Sequence, residues 1–145
     1  MHTSKLVKIF FCGYLLAIMA VTLLPGHFNF EFVGGADTFR YNIIPFHGEM
    51  RTIFASSYDI FSFIGNALML APMGILVPIL FDKLNAWKSI FFMGLGIALF
   101  IEMMQLVLCV VVSPGYRYPD VDDVILNTLS ALIGYWVYRR VKLMN

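Results

Sequence analysis

The chain has 145 residues, 60% of them hydrophobic and only 13% charged, with a mean hydropathy of +0.81. These values exclude an ordinary soluble domain and leave one domain whose solvent is lipid. The net charge of +1, with no basic stripe apart from short clusters at helix ends, argues against nucleic acid as a partner.

A spanning helix needs about 20 mostly apolar residues. Four runs meet that length: Leu6–Leu24, Ile60–Phe81, Ser89–Val112 and Val121–Tyr138. The predicted fold is therefore all-α, a single domain over residues 1–145 forming an integral membrane bundle of four transmembrane helices, with a long outer loop after the first helix. Lys5 and Lys8 ahead of the first run also suit a secretory signal. No small-x-small cleavage site follows, and Thr22-Leu23-Leu24-Pro25-Gly26 reads as a helix ending at a turn, so the run is assigned as the first span.

In the loop that follows, Phe28, Phe30 and Phe32 alternate with Asn29 and Glu31, which predicts a short extended piece broken at Gly34-Gly35. The stretch Phe46–Tyr58 mixes Met50, Ile53 and Phe54 with Glu49 and Arg51, as an interfacial amphipathic helix would. His27 and His47 lack metal-ligand spacing, so no metal site is assigned, and nothing in the chain calls for a cofactor.

Span two carries Pro72-Met73-Gly74 and Pro78, which remove backbone hydrogen bonds and predict a bend. Carbonyls freed in this way need a protein-lined or wet site. Span three holds Glu102, the one charge away from the end of a span. A carboxylate at helix centre costs about 2.5–3.5 kcal/mol, so Glu102 requires a partner, a proton or a cavity. Gln105 follows three residues on, on the same face. At about 1.5 Å of rise per residue, Asn66, Gln105 and Asn127 come out level, about 9–10 Å in from the outer ends of their spans, with Glu102 slightly deeper. Span four has Asp120, Asp123, Asn127, Ala131 and Gly134 at helical spacing, polar at one end and small further along, and small residues let helices approach closely. Asp120 after Pro119 also suits a helix cap, with Asp122 and Asp123 complementing the helix N-terminus. Cys12 and Cys109 fall at opposite ends of the bundle and cannot pair.

Orientation follows from the basic residues. Lys5, Lys8, Lys83, Lys88, Arg139, Arg140 and Lys142 share one side under a four-span count, against Arg40, Arg51 and Arg117 on the other. This predicts a multi-pass protein of the plasma membrane with both termini and the Asp82–Lys88 loop cytoplasmic.

Several of these residues fall into a pattern that resembles the VanZ-like family of membrane proteins. It consists of Leu23-Leu24-Pro25, Asn42-Ile43-Ile44-Pro45-Phe46, Gly65-Asn66 running to Pro72-Met73-Gly74, Glu102-x-x-Gln105, and Arg117-x-x-Asp120-x-x-Asp123-x-x-x-Asn127. Leu70 replaces the usual aromatic before the proline, and Ser130 a usual glycine. The family is named for a protein linked to low-level teicoplanin resistance, and some members look like protectors against lipid-bearing glycopeptides. The resemblance implies a site at Asn42, Pro45, Phe46, Asn66, Glu102, Gln105, Arg117, Asp120, Asp123 and Asn127, where depth counting places the polar layer.

Three functions use such residues. In the first, an outward-facing site binds or shields against acyl-bearing molecules or membrane lipids at the outer leaflet, with Arg40, Arg51 and Arg117 holding an anionic group through their bidentate forks. The second is an intramembrane enzyme acting on a lipid head group, with Glu102 or Asp123 as general base and Arg117 steadying negative charge. No nucleophile–base pair or metal-ligand set supports it, which favours binding over catalysis. The third is a small proton-coupled carrier cycling Glu102, which with four spans would need a homodimer.

Overall fold

The computed structural model describes residues 2–23, 42–46, 57–111 and 119–144. The interfacial helix and the extended piece expected in the long loop lie almost wholly outside these residues, as do His27 and His47.

Five α-helices are described: α1 (His2–Leu23), α2 (Ser57–Met69), α3 (Ala71–Leu80), α4 (Trp87–Val111) and α5 (Val121–Met144). Helices α2 and α3 together form the second rod, so the bundle has four, as expected from the apolar runs. Three rods contain windows apolar and long enough to cross a membrane: Lys5–Thr22, Phe63–Leu80 and Trp87–Val111, with mean hydropathies of 1.8, 2.0 and 2.2. Helix α5, at 24 residues and about 1.5 Å per residue, is also long enough for a hydrocarbon core of about 30 Å. It is less apolar because its polar residues turn inward: Asp122, Asp123, Asn127, Thr128 and Ser130 are all buried. It also runs past the expected end at Tyr138, carrying Arg139, Arg140 and Lys142 on its last turns.

That inward polarity is matched by position. Helix α5 packs against α2, α3 and α4, while α1 lies mainly against α3 and α4 from the side. The apolar core joins Leu70, Met73, Val77, Ile90, Ala131 and Tyr135. The small residues expected on the fourth span do bring backbones together. A Cβ at Gly74 would overlap the Ala131 carbonyl oxygen, and one at Gly134 would overlap the Ala71 carbonyl oxygen. Helices α3 and α5 thus cross at backbone contact, and only glycine fits there.

The expected bend in the second rod is a break at Leu70, where φ is −95° and ψ 2°. Pro72 sits in the first turn of α3, where its missing N–H is no loss, and Pro78 is buried within α3. The Met69 carbonyl at the break accepts a hydrogen bond from the Tyr14 hydroxyl of α1 at 2.7 Å. The carbonyl at the break is therefore met by protein, as expected of a disrupted helix in lipid. Cys12 is exposed and Cys109 buried, and both are free thiols.

The two ends of the bundle differ. At one, the 3-10 turn Asp82–Leu84 joins α3 to α4, and Asn85 hydrogen-bonds the hydroxyls of Tyr138 (3.3 Å) and Tyr135 (3.4 Å) on α5. Lys88 lies over Trp87, and Arg140 over Trp136. At the other end, residues 42–46 dock on the N-terminus of α5.

Candidate functional site

Helix α5 begins under a cap assembled from three parts of the chain. Asp120 Oδ1 accepts the Asp122 backbone N–H at 2.8 Å, the N-cap bond expected from the sequence. The same oxygen accepts the Asn42 side-chain amide at 2.7 Å. Asn42 pairs its backbone alongside as well: its N–H donates to the Pro119 carbonyl at 3.0 Å, and its carbonyl accepts from Val121 N–H at 2.9 Å, an isolated parallel bridge. The Asn42 side-chain oxygen then turns the chain by accepting Ile44 N–H at 3.2 Å.

The turn ends at Phe46 with φ at 65°, a left-handed conformation that costs a non-glycine residue about 1–2 kcal/mol. It is held by Asp122, whose fully buried carboxylate accepts the Phe46 N–H at 2.7 Å. Pro45 and the Phe46 side chain remain exposed. From the bundle side, Glu102 on α4 reaches across, and its Oε2 accepts the Asp120 backbone N–H at 2.9 Å. The charge that stood out in span three therefore ties the middle of α4 to the start of α5. Each of Glu102, Asp120, Asp122 and Asp123 is partnered.

Around the junction the pattern changes. Asn66 on α2, Gln105 on α4 and Asn127 on α5 are all buried. No hydrogen bond among the described residues joins these amides to one another, so they are not the interhelical glue such residues often form. Asn127 Oδ1 is buried without a hydrogen-bond partner, and so is Ser130 Oγ, three residues further along α5. Buried polar atoms in this state are rare and need a reason.

Of the sequence-selected residues, the structure joins Asn42, Phe46, Glu102 and Asp120 in one hydrogen-bonded junction, and places Asn66, Gln105 and Asn127 on the three helices α2, α4 and α5. Arg40, Arg51 and Arg117 lie outside the described residues. Sequence reasoning missed Asp122 as the anchor of Phe46, Ser130 as a polar member of the layer, and Tyr14 as the partner of the helix break. Ser130 showed in sequence only as a departure from the family glycine, and Tyr14 carries no local signal of a partner 55 residues away. Among the described residues, no group of three or more His, Cys, Asp or Glu side chains is placed to hold a metal ion.

The fold and junction define a class: a small integral membrane helical bundle whose polar residues face inward at one end. A family model described as VanZ/LLP1 matches residues 11–144, so the chain belongs to that family. No curated protein and no solved structure matches it.

Proposed function

We propose that the protein is a multi-pass component of the plasma membrane, with its termini in the cytoplasm and the α5 junction at the outer leaflet, that binds and shields against acyl-bearing amphiphiles. The observation that carries this reading is the contrast inside the polar region. Glu102, Asp120 and Asp122 are engaged in building the junction, whereas Asn127 and Ser130 in the neighbouring polar layer hold buried oxygens with no hydrogen-bond partner. Such a layer suits the neutral polar part of a ligand whose tail lies in apolar surroundings. Arg40, Arg51 and Arg117 would add an anionic contact at the surface. The basic and aromatic residues at the opposite end, among them Trp87, Lys88, Trp136 and Arg140, favour that end as the cytoplasmic interface.

Low-level resistance to teicoplanin-type lipoglycopeptides is the cellular outcome this reading expects. Cells carrying the wild type should tolerate teicoplanin better than cells lacking it. Tolerance of vancomycin, which lacks the fatty-acyl tail, should be unchanged. Gln105→Leu and Asn127→Leu, at normal membrane levels, should abolish the difference. Equal tolerance of both drugs with and without the protein would remove the antibiotic part of the proposal.

A further inference from the structure

Helix α1 does not close tightly on the bundle. Between it, the α2–α3 break and α4 lies a cavity of about 190 Å³, walled by Leu15 and Ile18 of α1, Leu70 and Met73 at the break, and Ile97 and Ile101 of α4. Two hydroxyls also line it, and both are turned away: Tyr14 donates to the Met69 carbonyl at 2.7 Å and Thr22 to the Ile18 carbonyl at 2.8 Å. The interior therefore presents carbon alone. An apolar cavity of about 150 Å³ stays dry and takes up hydrocarbon, because water there finds no polar partner.

Two further observations say which hydrocarbon. Met19 and Phe100, on the cavity wall, are more than half exposed on helices apolar enough to span a membrane, so the cavity borders the region where lipid tails stand. The cavity also lies one helical turn from the amide layer on two helices. Leu70 is four residues from the buried Asn66, and Ile101 four residues from the buried Gln105, so in each pair both side chains lie on one inward side of the rod. Polar groups above and a carbon-lined hollow below match the two parts of an amphiphile.

We infer that this cavity is a slot for a single linear acyl chain, entered from the bilayer between α1 and α4 and capped at its polar end by the Asn66–Gln105 layer. The inference rests on the reading above and gives it a location for the tail. The Tyr14–Met69 hydrogen bond ties α1 to the break beside the slot and so bears on how far the slot opens.

Photocrosslinking in vesicles tests it. The probe is a phosphatidylcholine with a diazirine midway along one chain. A second arm uses a glycopeptide bearing the same diazirine on its fatty-acyl tail. Adducts on Leu15, Ile18 and Ile97 should exceed those on the bundle-exterior residues Leu16, Phe92 and Ile133 several-fold. They should fall several-fold in Ile97→Phe and in Leu15→Phe, which fill the slot from opposite walls. Adducts spread evenly over slot and exterior residues in the wild type overturn the slot, whatever the variants do. Slot adducts in the phospholipid arm alone assign the chain to a membrane lipid, and in both arms to acylated ligands generally. Slot adducts without any drug protection would sink the functional reading and leave the slot standing.

Discussion

The two sides of the α3 rod are built on opposite principles. Toward α5, glycines 74 and 134 let backbone meet backbone, with no room for a methyl group. Toward α1, large side chains leave a hollow of about 190 Å³, and the Tyr14 hydroxyl reaches the Met69 carbonyl at the end of α2. Without a hydrophobic drive between helices in lipid, close packing and hydrogen bonds decide which contacts hold. The bundle therefore has a fixed half, made by α2 to α5, and a looser flank at α1. A hollow lined by carbon is tolerable there because lipid can fill it, whereas in water a cavity of that size would cost about 4–5 kcal/mol at about 24 cal/mol per Å³.

The sharpest way to break this comparison is at the crossing. Gly74→Leu should destabilise the protein by about 3 kcal/mol or more, read as a collapse of the unfolding midpoint in nanodiscs, because a backbone carbonyl cannot move aside. Gly13→Ala and Gly96→Ala, where a Cβ meets open space, should stay within about 0.5 kcal/mol of wild type. Equal effects at the three positions would erase the distinction between the two flanks.

Next in size is the junction. Glu102→Leu should cost about 2–3 kcal/mol, since it removes a charged acceptor and leaves the buried Asp120 N–H unmet. Glu102→Gln keeps an acceptor oxygen and should lose less than half of that. If both lose the same amount, the negative charge itself, not the bond to Asp120, is what the site requires. Asp120→Ala removes the cap together with the Asn42 bond and should cost about 1–2 kcal/mol. Hydrogen exchange should rise at the Asp122, Ile44 and Phe46 amides together.

Smaller effects belong to the flank. Tyr14→Phe should cost about 1 kcal/mol and raise acyl-probe adducts at Leu15 and Ile18, a change that a purely structural bond would not produce. Smallest of all is Ser130→Ala. The hydroxyl has no hydrogen-bond partner, so its removal should be neutral or slightly stabilising, within about 1 kcal/mol. A marked loss of stability there would mean that the polar layer is held by protein and is not kept for a ligand.

Much of this was legible in the sequence because lipid makes strict demands. Apolar runs of spanning length had to be helices, and Glu102, Asn66, Gln105 and Asn127 had to turn inward, since each would be costly facing lipid. The capping role of Asp120 followed from its place after Pro119. Contacts between distant segments left no local signal. Nothing near Asn42 indicates that its amide meets Asp120, 78 residues away. Nothing near Phe46 announces a left-handed backbone held by Asp122.

The sequence by itself determined the solvent, the number of rods and their order, because these depend on the composition and period of each segment alone. Only the tertiary structure decided that α5 is the hub, that Glu102, Asp120 and Asp122 are engaged while Asn127 Oδ1 and Ser130 Oγ are not, and that α1 leaves a hollow beside the break. Those outcomes depend on which side chains distant segments bring within hydrogen-bonding or van der Waals reach, and that is set by the packing of the whole bundle.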